Sequence, residues 1–208
     1  GPGTNEDLDV SFAEVGPRGL PLVSLNIPAR TDAQGRFEFR KVPPGSLHIT
    51  YREKLSNPNF QSWQNRPLKD VELKSGQDLV VNIVTSDRPA TPVMNFRPAP
   101  APVPIPGAEV KGTLLKPNGQ PAAEADEGLQ VEGSYLAVGK GALLQGSARQ
   151  EGRFVKTGAD GSFRLPLFER AQAVLAASED GYVKVSLDQL KASPQITLEK
   201  WGRIEGTL

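Results

Sequence analysis

The stretch TDAQGRFEFRKVPPGSLHITY, residues 31 to 51, leaves this part of the chain little choice but a pair of strands with one buried face. Asp32 opens and Gly35 closes a type I turn, after which Phe37 and Phe39 alternate with Arg36, Glu38 and Arg40 at the two-residue period of a strand. In KVPPG, Pro44 presets φ and Gly45 accepts the positive φ of a type II turn; Leu47, Ile49 and Tyr51 then alternate again. The same period runs through Leu8, Val10 and Phe12, through Val23, Leu25 and Ile27, through Val71 and Leu73, and through Leu79, Val81 and Ile83. At least six strands are expected before residue 86. With 21 Gly and 19 Pro separating short apolar runs, the fold class is all-β, built of mainly antiparallel strands.

Two short patterns recur. TGADGSF, residues 157 to 163, repeats TDAQGRF, residues 31 to 37, as T-x-A-x-G-x-F, and IEGTL, residues 204 to 208, repeats VKGTL, residues 110 to 114. The second offset, 94 residues from Val110 to Ile204, is the length of one small β-domain. From Ser86 to Ala108 the composition turns to SDRPATPVMNFRPAPAPVPIPGA, with proline at every second residue from Pro98 to Pro106. Such a run cannot donate ladder hydrogen bonds and is expected to be an extended spacer. The expected organisation is a first β-sandwich unit over 1–86, a Pro-rich linker over 87–107, a second unit over 108–201, and the start of a third repeat over 202–208. The first unit reaches its TDAQGRF turn 31 residues in, against 47 from VKGTL to TGADGSF in the second, so it is expected to lack its first strand. On this reading the chain is an excerpt from a longer array.

The core of the first unit is expected from Phe37, Phe39, Leu47, Ile49, Leu79, Val81 and Ile83. That of the second is expected from Val110, Leu114, Val131, Phe163, Leu165, Leu175, Val183 and Ile196. Lys plus Arg and Asp plus Glu both number 24, with no long run of one sign, which argues against a nucleic-acid partner. No apolar run approaches the 18 residues or so of a membrane span. The absence of cysteine removes disulfides and thiolate metal sites.

Thr31, Asp32, Gly35, Phe37, Phe39, Val42, Pro43, Pro44 and Gly45 together resemble the T-D-x-x-G-x-F-x-F-x-x-V-P-P-G signature of the carboxypeptidase regulatory-like domain. VKGTLLKPNGQPA resembles that family's opening strand and turn, and TGADGSFRLP its central hairpin, although LFERAQAVLAA stands where V-P-P-G would follow. The resemblance implies two tandem prealbumin-like (transthyretin-like) sandwiches joined by the Pro-rich segment. The ending ITLEKWGRIEGTL is similar to the joints of large multi-repeat bacterial proteins, which implies an extracytoplasmic setting, periplasmic or at the cell surface. The partners so implied are neighbouring repeats of the same chain, with glycans or cell-envelope proteins as further candidates.

Catalytic chemistry has little to stand on. His48, the single histidine, lies between Leu47 and Ile49 and so points away from the buried face. No G-x-S-x-G, H-E-x-x-H, phosphate-loop or dinucleotide motif is present, GKGALLQG at 139–146 lacks the required spacing, and no cofactor is expected. Asp32 and Asp160 sit in matching turns, where a carboxylate bonding its own backbone accounts for both. LSNPNFQSWQNRP, residues 55 to 67, departs from this pattern. Read as a polar loop, it carries Phe60, Gln61, Trp63, Asn65 and Arg66, an aromatic face flanked by amide and guanidinium donors suited to a sugar ring. The plainer reading is that Phe60 and Trp63 close the end of the sandwich core. The expected function is a non-enzymatic spacer or interaction module, with a weak carbohydrate-binding module as the alternative.

Overall fold

The computed structural model describes residues 6–12, 23–25, 27–55, 62–84, 102–132, 136–144 and 152–208, with backbone alone at 23–24, 53–55 and 62–65. The chain is nearly all β. In the first half lie β1 (Asp7–Phe12), β2 (Val23–Leu25), β3 (Ile27–Arg30), β4 (Arg36–Val42), β5 (Gly45–Leu55), β6 (Ser62–Leu73) and β7 (Asp78–Asn82). Then follow β8 (Pro104–Leu115), β9 (Asp126–Val131), β10 (Leu136–Gly139), β11 (Ala142–Leu144), β12 (Phe154–Lys156), β13 (Ser162–Phe168), β14 (Ala171–Ser178) and β15 (Gly181–Ser186). A short helix, α1 (Leu187–Ala192), capped by the Ser186 hydroxyl, leads to β16 (Gln195–Thr197) and β17 (Gly202–Thr207). Among the described residues no helix is long and apolar enough to cross a membrane.

Among the described residues the strands form five sheets, ordered β3-β1-β5-β6, β4-β17-β7, β12-β9-β14-β15, β13-β8-β16 and β11-β10-β2. The third repeats the first and the fourth repeats the second, strand for strand. The match extends to single hydrogen bonds. Thr31 donates its backbone N–H to the Glu6 carbonyl and its Oγ1 accepts from the Glu6 N–H; Thr157 makes the same two bonds with Ala125. The turn glycines Gly35 and Gly161 both have left-handed backbone, and their carbonyls accept from Leu208 and Leu114 respectively.

These pairings put β8 and β17 in one and the same place. Val110 lies opposite Leu165 and Gly112 opposite Phe163; Ile204 lies opposite Phe39 and Gly206 opposite Phe37. A Cβ on Gly112 would stand 2.5 Å from the Pro194 carbonyl oxygen and 2.8 Å from the Phe163 ring, and one on Gly206 would stand 1.9 Å from the Val81 oxygen and 2.9 Å from the Phe37 ring. The G-T-L and T-x-A-x-G-x-F patterns are thus two sides of one contact: the ring of the second lies across the bare backbone of the first. Residues 202–208, read above as the opening of a further repeat, complete the sheet of β4 and β7 from 125 positions along the chain at Thr207 and Asn82.

Among the described residues two apolar clusters result. The second, with Val110, Leu114, Leu129, Val131, Phe163, Leu165, Val174, Val183 and Ile196, lies between the sheets of the second half. The first joins Leu8, Val10, Phe37, Phe39, Leu47, Ile49 and Val81 to Leu136, Val138, Leu175, Tyr182 and Ile204. Leu175, expected in the second core, therefore belongs to the first. The reason is that β14 is buried on both faces, with Ala173, Leu175 and Ala177 turned to one cluster and Val174 and Ala176 to the other. Leu79 packs only half-buried against the first cluster. The other expected core residues are buried.

Two local expectations change. Most of the Pro-rich segment lies outside the described residues, but Pro104–Gly107 form the start of β8, with Pro104 opposite Phe168. Proline is tolerated there because β16 flanks β8 only from Thr113 onward, so the missing N–H faces no second neighbour. The segment read as a loop after Leu55 is strand again from Ser62, with Trp63 opposite Lys54 and Arg66 opposite Tyr51. A register shift between Ile49 and Thr50, opposite the N–H-less Pro67, lets the hairpin continue.

Candidate functional site

Of the sugar-facing set, Phe60 and Gln61 lie outside the described residues. Trp63 and Asn65 are described by their backbone in β6, and Arg66 is half-buried on the same strand. What the fold does gather is a different group of residues, at the meeting of the two halves. An open cleft of about 540 Å³ is lined by Arg40 and Lys41 of β4, Asp78, the turn Lys116–Asn118, the β14–β15 turn Glu179–Asp180, and Lys200 to Arg203.

Local geometry explains how these residues arrive there. Val42 pairs with Gly202 and Arg40 with Arg203, so Lys41 is the extra residue of a β-bulge and takes a left-handed φ of 53°. The bulge aims its side chain across the joint. There its ammonium bonds Glu179, and its stem lies where a Cβ of Gly141 would be, 2.7 Å away. Gly141 and Lys140, with φ of 77° and 56°, form the two-residue turn of the β10–β11 hairpin, which is the structural role of the described part of the glycine-rich segment, residues 139–144. Lys116, held by the turn that closes on Gly119, reaches Asp180 at 3.0 Å.

Trp201 sits between the halves. Its indole N–H donates to the Ser178 carbonyl at 2.8 Å, and its ring lies 5.8 Å from Tyr182, which in turn lies 6.1 Å from Phe12 of β1. Next to it, the Lys200 N–H donates to the Ser75 hydroxyl and the Lys200 carbonyl accepts from Gly76. One dipeptide is thereby fastened to both halves. The aromatic row, the Lys41–Glu179 ion pair and the parallel pairing of β2 with β10 all act on the same seam.

On the outer face of the second sheet, Glu38 is held below the usual carboxylate range by hydrogen bonds from Arg40 and then Arg203. Arg203 also pairs with Glu205. Asp32 is lowered chiefly by the Arg36 N–H, and Asp160 by the Ser162 hydroxyl and N–H, so both turn carboxylates bond their own hairpins. His48 lies on the outer face of β5 with Nδ1 2.7 Å from Asp70.

One buried group stands apart. Glu127 of β9 is fully buried and both its carboxyl oxygens lack a hydrogen-bond partner, so burial raises its pKa well above 4.5. It lies opposite Ala176 and Val155, at the position Leu8 holds in the first half. Among the described residues no group of three or more His, Asp or Glu side chains is placed to hold a metal ion.

The sequence reading missed this seam. Its signal was present in EKWGR, where a tryptophan immediately precedes the G-T-L strand. No protein-family model, no curated protein and no solved structure matches this chain.

Proposed function

We propose that the chain is a non-catalytic structural and interaction module, a pair of prealbumin-like sandwiches of the carboxypeptidase regulatory-like kind, acting as a spacer in a multi-repeat extracytoplasmic protein. Support for the sandwich type comes from the sheet orders: each half opposes a four-stranded sheet to a three-stranded one with the related strand, β17 or β8, at its centre. The observation that carries the spacer reading is the sharing of structure between repeats. β17 completes a sheet of the first half, β2 and β10 pair across the joint, and one apolar cluster runs through both. A joint with that much shared structure transmits position and load and leaves little freedom for hinge motion.

Its partners on this reading are further repeats of the same kind. The test has two arms. In a Trp63→Phe background, Trp201 fluorescence and far-ultraviolet dichroism should lose their native signals in one coincident transition in denaturant. Transitions separated by more than about 1 M urea would break the rigid-joint argument. In parallel, panels of ester, peptide and glycoside substrates should show no turnover and soluble oligosaccharides no saturable binding. Binding that Trp63→Ala abolishes while the dichroism spectrum is kept would replace the spacer with a glycan-binding module.

A further inference from the structure

The seat of β17 carries more than the completion of one sheet. Every strand it pairs with belongs to residues 36–82, whereas the strand before it, β16, belongs to a different sheet. It crosses from one to the other through the Leu198–Trp201 segment alone. Recognition is contained in the strand itself: backbone pairing along both edges, Ile204 buried in the first cluster, bare Gly206 under the Phe37 ring, and Arg203 bonded to Glu38. None of these contacts depends on the strand being covalently joined to the groove it fills. The seat of β8 shows that the same fit serves a second strand of the G-T-L pattern, so the shape of the groove is general to the repeat.

We propose that the groove between β4 and β7 is a strand-acceptor site that also takes β17 of a second copy of this chain, in the same register, so that copies assemble by strand exchange. What favours the chain's own strand is effective concentration, typically in the millimolar range for a tethered segment, and this advantage shrinks as protein concentration rises. Because β17 is central, its departure leaves β4 and β7 about 10 Å apart with unpaired backbone facing the gap. That gap is a demanding acceptor, closed only by another strand. Exchange of an identical element is a low-cost route to an assembly because every contact of the closed form is remade in the exchanged form.

The inference rests on reading the chain as an assembly module, but its test is separate from that of the reading. The chain has no cysteine, and Glu38 and Glu205 lie directly opposite one another, so Glu38→Cys and Glu205→Cys report the seat without background. In a single chain the double variant should form an intrachain disulfide; its failure to do so would remove the seat itself. For exchange, full-length Glu38→Cys and full-length Glu205→Cys chains are mixed at a few hundred micromolar, unfolded, refolded together and oxidised with glutathione disulfide. A disulfide-linked heterodimer is expected, at least tenfold more abundant than that from Glu38→Cys mixed with Asp188→Cys, whose thiol lies on the exposed α1. Equal yields in the two mixtures would overturn the proposal. Gly206→Val in the Glu205→Cys chain should bring the yield down to the control level, and an unchanged yield would overturn the assigned register. Glycan binding or hydrolysis would sink the spacer reading and leave the heterodimer result standing, and the reverse also holds.

Discussion

Glu127 occupies a leucine's place. Its neighbours on the sheet are Val155 and Ala176, and on its own strand Leu129 and Val131 share its face. Arg153, also fully buried, lies beside Leu129 and donates Nη1 to the Leu129 carbonyl. Burial alone is what raises the Glu127 pKa above 4.5. Below that value the carboxyl is protonated in both folded and unfolded chains, and the stability is fully present. As pH rises the unfolded chain releases the proton while the folded chain keeps it, so stability is lost at about 1.4 kcal/mol per pH unit up to the folded-state pKa. Replacing the group with leucine removes an unsatisfied buried carboxyl, costing about 1–3 kcal/mol, and adds a buried aliphatic side chain contributing about 1.5–3 kcal/mol. Glu127→Leu should therefore stabilise the protein by about 3–5 kcal/mol at pH 4, where the carboxyl is protonated in both states. The gain at pH 7.5 should be clearly larger, because the linkage loss adds to it. Guanidinium unfolding midpoints at the two pH values, with unchanged slope, measure both quantities. A variant less stable than the parent at pH 7.5, or a gain identical at both pH values, would refute the argument that an unpartnered carboxyl sits there.

Phe37 is 5% exposed and stacks edge-on against Phe39 at 5.5 Å, so Phe37→Ala should cost about 3–5 kcal/mol by chemical denaturation, and a loss under about 1 kcal/mol would mean the ring is not core. Gly112→Ala and Gly206→Ala each drive a methyl into a backbone oxygen and a phenylalanine ring, and each should destabilise by about 1–3 kcal/mol. If either is neutral in a thermal melt, the ring-over-glycine contact that links the two sequence patterns is wrong.

The fold was legible where local rules are strong. Alternation placed Phe37, Phe39, Leu47 and Ile49 on a buried face because a one-residue slip would turn them all to water. Turn chemistry placed Asp32 and Gly35, because few residues accept those backbone angles. The partner of β17 was not legible. IEGTL announces a strand that fits a T-x-A-x-G-x-F hairpin but cannot say which of two such hairpins it joins, a choice made by tertiary packing. Leu175 failed for a related reason: AVLAAS is apolar on both faces, and continuous apolar runs do not reveal which core each side meets. The seam was half legible: EKWGR marks Trp201, but the bulge that aims Lys41 leaves no local mark, and its ion pair with Glu179 joins residues 138 positions apart. Of the sugar-facing set, Trp63, Asn65 and Arg66 were misplaced on a loop because Pro67 reads as a strand breaker until a register shift accommodates it.

The central place of β17 also sets a clock on folding. Glu38 and Arg203, which meet across the β4–β17 pair, are 165 residues apart, so the last contact of the first sheet closes a very long loop. Non-local pairing of this kind slows folding, since loop entropy is lost before any contact compensates it. On a ribosome adding about 5–20 residues per second, the 120 residues from Asn82 to Gly202 take about 6–24 s to appear. For that interval β4 and β7 exist without their centre, and the first half is older than the strand that finishes it.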